Sequence, residues 1–262
     1  MSKEHLAAAL EAAESAAAVI RIAFRGNFQI RFKADASPVT EVDVAAEKAI
    51  KAVLLNHFPT HGIYGEELGQ DAGDGEHLWL IDPIDGTKAF VRGYPLFSTQ
   101  IALMRRGELV LGVSSAPCWN GGLGETIWAA RGEGAWAEGE RLRVAAADDI
   151  GRATLSTGNL ASLARSNSWA RYGALLPQFA RVRGYGDFLH YHWLASGRLD
   201  AVIESDVNIL DIAACAVIVR EAGGLFTDLQ GLPVGLNTTS VLAAGPSMHR
   251  QIQNALRYEP AR

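Results

Sequence analysis

Leu6, Leu10, Ala13, Ala17, Ile20 and Phe24 recur at alternating steps of four and three, which lines one face of an α-helix that Gly26 can end. The pattern stops at Gly26, so it predicts a core-facing helix rather than a coiled coil. A short extended piece runs from Phe28 to Phe32, and Ser37-Pro38 marks a turn. Thr40 then stands as the N-cap of a second helix ending near His57, with Ala45, Ala46, Ala49, Ile50, Val53 and Leu54 as its apolar stripe. From Leu78 to Val144 the texture becomes short runs of strand type: LWLI, LFSTQIALM, ELVLGVSSA, ETIWAA, GAWA and RLRV. Arg106-Gly107 and Arg131-Gly132 turn the corners, and the spacing predicts an antiparallel meander. Beyond Asp148, helical patterns near 163–179, 187–196, 211–222 and 246–257 interleave with apolar runs at 153–156, 199–204, 225–227 and 240–244. The change of texture predicts an α+β half over 1–148 and a smaller α/β half over 149–262. No repeat or linker-like stretch separates them, so the halves should share an interface.

Charge narrows the partners. The 262 residues carry 24 Lys+Arg against 29 Asp+Glu, a net −5, with no basic run. A nucleic-acid binder needs a basic stripe, and an electrostatic membrane association needs a basic patch, so neither partner is expected. The Ala-rich N-terminus is interrupted by Glu4, Glu11, Glu14 and Arg21, which fits neither a signal segment nor a membrane span. Cys118 and Cys215 lie far apart and suggest neither a disulfide framework nor a zinc site; a reducing, cytoplasmic setting is the expectation.

The segment Trp79-Leu80-Ile81-Asp82-Pro83-Ile84-Asp85-Gly86-Thr87 carries the densest chemistry. An apolar strand delivers Asp82 at its end, Pro83 forces a bend, and Asp85 follows with Gly-Thr behind it. Two carboxylates aimed at one point need a positive charge between them. A hard cation such as Mg²⁺ takes oxygen ligands of this kind, including the Ile84 carbonyl. Gly86 and Thr87 offer backbone N–H groups to phosphate oxygens. Either dipeptide alone would read as an ordinary turn; both together at a strand end point to a site. In Gly65-Glu66-Glu67, one glutamate could join the metals or the pair could be a solvated loop. Asp211 could serve the site or cap the helix after it, and Asp43 makes a T-x-x-D capping pattern with Thr40. His190 and His192 stand two apart on a predicted helix, on different faces, so they make no metal pair. A G-x-S-x-G elbow, a P-loop and a dinucleotide G-x-G-x-x-G are all missing from the sequence, and Gly121–Gly124 reads as a turn.

Together, GEE at 65–67, DPIDGT at 82–87 and DIAA…EAGG at 211–224 resemble the inositol monophosphatase superfamily of Mg²⁺-dependent phosphomonoesterases, from Lys33 through Gly224. The resemblance implies an αβαβα layered sandwich of the inositol monophosphatase/fructose-bisphosphatase type. It implies metal ligands at Glu66, Asp82, the Ile84 carbonyl, Asp85 and Asp211, holding two or three Mg²⁺. Thr87 and Asp43 would orient and deprotonate the attacking water, Gly86 and Thr87 would bind phosphate, and the usual state would be a homodimer. Residues 90–95 and 183–188 look more like the histidinol-phosphate branch, which puts L-histidinol phosphate ahead of inositol, sugar or nucleotide phosphates. Glu204 matches the acid that contacts the non-phosphate part of the substrate, with Asp187 beside it as a second candidate. A non-catalytic binding protein on this scaffold would be expected to have lost a ligand. Leu210, where Trp is usual, and Cys215, where a small residue or leucine is usual, depart from the pattern.

Overall fold

The computed structural model describes residues 3–26, 28–32 and 38–260. Lys33, where the resemblance starts, and the Ser37 turn lie outside the described residues. The chain begins with α1 (Lys3–Phe24), a hairpin of β1 (Ile30–Phe32) and β2 (Pro38–Thr40), and α2 (Glu41–His57). Next come β3 (Gly62–Gly65), β4 (Gly69–Asp71), β5 (His77–Asp85), α3 (Thr87–Val91), β6 (Ser98–Arg105), β7 (Glu108–Ala116), β8 (Glu125–Ala130), β9 (Gly134–Ala137) and β10 (Glu140–Leu142). These strands form an eight-stranded sheet in the order β10-β9-β8-β7-β6-β5-β3-β4. The antiparallel meander is present from β5 to β10, whereas β3 pairs parallel with β5.

The remaining elements are β11 (Thr154–Thr157), α4 (Leu160–Arg165), α5 (Trp169–Leu175), β12 (Arg181–Arg183), α6 (Asp187–Ala195), β13 (Ala201–Ser205), α7 (Ile209–Glu221), β14 (Leu225–Thr227), β15 (Ser240–Ala244) and α8 (Pro246–Leu256). Their five strands form a second sheet in the order β12-β11-β13-β15-β14.

Strand alternation stacks these elements into five layers. Trp79, Ile81, Ile101 and Leu103 face α1 and α2, while Leu80, Ala102 and Met104 face α7. In the second sheet Val202, Val241 and Ala243 face α7, and Ile203 and Leu242 face Leu163, Tyr172, Met248 and Ile252 of α4, α5 and α8. The result is the αβαβα sandwich. Helix α7 is therefore apolar all round, buried between two sheets rather than lying on a surface. Its approach is close enough that a Cβ at Gly112 of β7 would sit 2.4 Å from the Ala214 carbonyl oxygen.

Several local expectations need correction. The helix read over 163–179 is broken, because Ser166 turns extended and its hydroxyl donates back to the Leu163 carbonyl at 2.7 Å. Strand β12 went unforeseen, since RVR is a short, largely exposed edge. RLRV stays a strand only to Leu142. On α2, Ala45 faces solvent, and the buried face is Val42, Asp43, Ala46, Glu47, Ile50 and Leu54. Among the described residues no helix is long and apolar enough to cross a membrane.

A column of rings ties the start of α1 to the sheet. His61 stacks on His77 at 4.3 Å and on Phe58 at 4.6 Å, with His5 on Phe58 at 4.5 Å, all within 10° of parallel. A metal must lie in the plane of each imidazole that binds it, and parallel planes share no such point. Trp79 Nε1 also donates to His61 Nδ1 at 3.1 Å, which leaves the neutral ring's proton on Nε2. The column is thus a packing device. Burial, with His77 beside it, holds His61 down to about 4. The unfolded chain takes up that proton near pH 6.5, so this stabilisation is complete above 6.5 and is lost as pH falls towards 4. Across that window the melting temperature of the wild type should fall relative to that of His61→Gln, which keeps an acceptor for Trp79 but has no proton to take up.

Candidate active site

Asp82 and Asp85 stand three apart on β5, an odd spacing that would send them to opposite faces of a regular strand. The pairing with β6 removes the conflict. Asp82 lies opposite Gln100 and Asp85 opposite Ser98, so β5 carries one extra residue there, a bulge at Pro83-Ile84. Proline has no N–H to leave unpaired at a bulge. The Thr99 hydroxyl holds the Pro83 carbonyl at 2.9 Å, and the Ile84 amide donates to Asp82 Oδ1 at 2.9 Å. The turn signal read in the sequence is thereby the device that aims both carboxylates one way.

The third acid arrives from the other half. Helix α7 begins at Ile209 with Asn208 as its N-cap, which places Asp211 at the third helical position rather than at the cap. Asp211 Oδ2 accepts from the Asn208 amide at 2.9 Å. Carboxylate oxygens of Asp82, Asp85 and Asp211 all lie within 4.8 Å of one another. Glu66, at the end of β3, lies against Asp82 and near Asp211. Burial first, and the neighbouring acids second, push Asp82 and Asp85 well above the usual carboxylate range, and burial lifts Asp211 to about 6. Among the described residues no Lys or Arg side chain pairs with these three aspartates. Buried carboxylates that share a point without a counter-charge are the donor set a hard cation fits.

Asp43 and Thr87 are joined beside this cluster. Asp43 Oδ2 accepts from the Thr40 amide at 2.8 Å and the Thr40 hydroxyl at 2.5 Å, completing the capping box of α2. Its Oδ1 accepts from the Thr87 hydroxyl at 3.2 Å, and the same hydroxyl lies 3.0 Å from the Ile84 carbonyl. The cap and the site therefore use different oxygens of one carboxylate. Burial raises Asp43 above its ordinary value despite these donors. Gly86 adopts φ +91°, and a Cβ there would lie 2.7 Å from the Leu96 carbonyl oxygen. Glu204, near both Asp85 and Asp211, accepts from the Tyr191 hydroxyl at 2.7 Å and stands 3.1 Å from His190 Nε2. Asp187 is raised to about 6 by its surroundings and then by Glu204.

Known proteins resemble this chain in sequence and fold. The model of the inositol monophosphatase family fits residues 1–259. The chain belongs to the inositol monophosphatase family. It is 37% identical over 262 residues to the histidinol-phosphatase of Mycobacterium tuberculosis, covering 98% of this chain and 99% of that one. It is 34% identical over 236 residues to the inositol-1-monophosphatase of Rhizobium meliloti, covering 88% and 87%. The solved inositol monophosphatase of Zymomonas mobilis superposes with a TM-score of 0.84 at 31% identity, covering 98% and 99%.

Every site residue expected from the family motifs falls in one region of the fold: Glu66, Asp82, Ile84, Asp85 and Asp211 at the acid cluster, Asp43, Gly86 and Thr87 beside it, and Asp187 and Glu204 across from Asp85. Glu47 was missed. It is fully buried on α2 one turn beyond Asp43, and its carboxylate accepts from the Glu67 and Leu68 amides at 2.7 and 3.0 Å. It holds the loop that carries Glu66. The available signal was two acids four apart on a helix face that is otherwise apolar. Gly65 has to leave room for it, because a Cβ there would lie 1.9 Å from Glu47 Oε1. Gly65→Ala should cost about 1–3 kcal/mol in urea unfolding, as overpacking does. Amide exchange at Glu67 and Leu68 should speed up in the same variant.

Proposed function

We propose that this member of the family is a Mg²⁺-dependent phosphomonoesterase whose substrate is L-histidinol phosphate. The observation that carries the reading is the convergence of Asp82, Asp85 and Asp211 on one point with, among the described residues, no cationic side chain paired with them. Glu66, Asp82, the Ile84 carbonyl, Asp85 and Asp211 would hold two or three Mg²⁺. Mg²⁺ held there supplies positive charge to the phosphate oxygens and acidity to a water.

The protein's own groups do the placing. The Thr87 hydroxyl gives its hydrogen to Asp43 and keeps a lone pair for the attacking water, so the water's proton can pass through Thr87 Oγ1 to Asp43 Oδ1. Asp43, raised by burial, is a better proton acceptor than an exposed aspartate. Gly86 and Thr87 would offer backbone N–H groups to the phosphate, and position 86 needs glycine because a Cβ there would strike the Leu96 carbonyl. Water then attacks phosphorus in line with the departing alkoxide, with no phosphoenzyme on the way.

The substrate assignment draws on two supports. The Mycobacterium relative carries the name histidinol-phosphatase. Asp187 and Glu204 also stand together across from Asp85, which suits the ammonium of histidinol. The Rhizobium relative's name favours inositol phosphate as the second reading, since the same two acids accept hydrogen bonds from polyol hydroxyls. A binding protein without activity is disfavoured, because each ligand carboxylate is retained. Turnover of L-histidinol phosphate and myo-inositol 1-phosphate, with and without Mg²⁺, separates these readings. Histidinol phosphate should be hydrolysed faster and only with the metal; a large preference for inositol phosphate reverses the substrate assignment. Asp85→Asn should lower turnover by several orders of magnitude while the protein stays folded, and full activity in that variant would remove the metal-site assignment.

A further inference from the structure

Positions 98, 100, 102 and 104 share one face of β6. Ala102 and Met104 on that face pack into the apolar core beneath α7, yet Ser98 and Gln100 are polar and fully buried. Cys215 of α7, also fully buried, meets them. Three buried polar groups in an apolar seam are costly unless each is satisfied. Here they satisfy one another in series. The Cys215 thiol donates to Gln100 Oε1 at 3.7 Å, Gln100 Nε2 donates to the Ser98 hydroxyl at 2.8 Å, and that hydroxyl donates to Asp85 Oδ2 at 3.2 Å.

The direction of the series is forced. Ser98 has one hydrogen, and the carboxylate is its strongest acceptor. The serine oxygen can therefore only accept from Gln100, which must present its NH₂ there and its carbonyl to the thiol. Ser114, opposite Gln100 on β7, does not compete for that carbonyl. His192 gives Nδ1–H to Glu125 at 2.7 Å, so its Nε2 accepts the Ser114 hydrogen at 2.7 Å. The Ser98 hydrogen bond to Oδ2 restricts rotation of the Asp85 carboxylate, one oxygen of which lies within 4.8 Å of ligand oxygens of Asp82 and Asp211.

We propose that Ser98, Gln100 and Cys215 are positioning residues that hold Asp85 in its metal-binding orientation through a one-way chain of hydrogen bonds. The inference rests on the reading of Asp85 as a metal ligand. Cys215, which departs from the family pattern, stands at the far end of the chain with its thiol beside both the Gln100 carbonyl and Ser114, while Ser98 is what orients the Gln100 amide.

The test is calorimetric titration of Mg²⁺ into the metal-stripped full chain. Ser98→Ala and Gln100→Leu should weaken Mg²⁺ binding about 10–100-fold, the usual effect of removing a partner behind a metal ligand. Cys215→Val should weaken it too, while Cys215→Ser, which keeps a donor, should stay near wild type. At saturating Mg²⁺ the KM for the phosphate ester should not change in Ser98→Ala. Wild-type Mg²⁺ affinity in both Ser98→Ala and Gln100→Leu overturns the proposal. If Gln100→Leu does not fold, Ser98→Ala decides alone, since it removes one oxygen and adds no volume. Asp85→Asn separates the two levels: wild-type Mg²⁺ binding in that variant defeats the metal-site reading itself. Its loss beside unchanged Ser98→Ala binding defeats only the chain.

Discussion

Asp82 and Asp85, both buried, and the half-buried Asp211 bring carboxylate oxygens within 4.8 Å of one another. Two like charges about 4 Å apart repel by about 4 kcal/mol even at an effective dielectric of 20. No local preference of the chain would assemble three, so the surrounding structure has to impose the cluster, and most of the architecture near it does so. The bulge on β5 turns two acids the same way. Helix α7, wedged between the two sheets, delivers the third from far along the chain. Burial answers the repulsion by favouring protons on the acids until a cation replaces them.

The same economy recurs at both helix starts. Asp43 and Asp211 are each the third residue of a helix, and each returns an oxygen to the amide of its own N-cap residue, Thr40 and Asn208. A capping carboxylate is fixed in position by the backbone it caps. The remaining oxygen is then aimed by a rigid helix rather than by a flexible side chain, which is the precision that a water-holding or metal-holding group requires. Capping leaves room for a second role: one carboxylate has two oxygens, and in Asp43 they have separate partners.

The meander was legible because period-two runs and glycine corners are local signals, and α2 because Thr40 announces it. The bulge was half legible: the proline was visible, but the extra residue shows only against the register of β6. Helix α7 starts two residues before the expected 211, because its N-cap is Asn208 and Asp211, the acid expected in front of it, is its third residue. Glu47, Ser98 and Gln100 were read as ordinary helix and strand positions. Their meaning depends on what packs over them, the Glu66 loop in one case and α7 in the other, and no window of local sequence contains that. The motifs named the ligands, but only the fold shows which groups stand behind the ligands.

The net charge of −5 can be revisited on this basis. An acidic chain is a poor host for a phosphate only if its acids are uncompensated where the phosphate binds. On the proposed reading they are not: Glu66, Asp82, Asp85 and Asp211 meet Mg²⁺, and two or three such ions carry four to six positive charges into the cluster. Asp187 and Glu204 are not among the proposed ligands, and on the same reading they would be left to meet the other end of the substrate. On this reading one acidic surface would divide into a cation-filled part that attracts phosphate and an acid pair, Asp187 and Glu204 with Lys88 and His190 beside them, that would meet the rest of the substrate. A substrate bearing both a phosphate and an ammonium would be held at both ends, whereas a polyol phosphate gains charge attraction at one end only. The pair of acids beyond the cluster is thus where selectivity between those two substrates would have to be built.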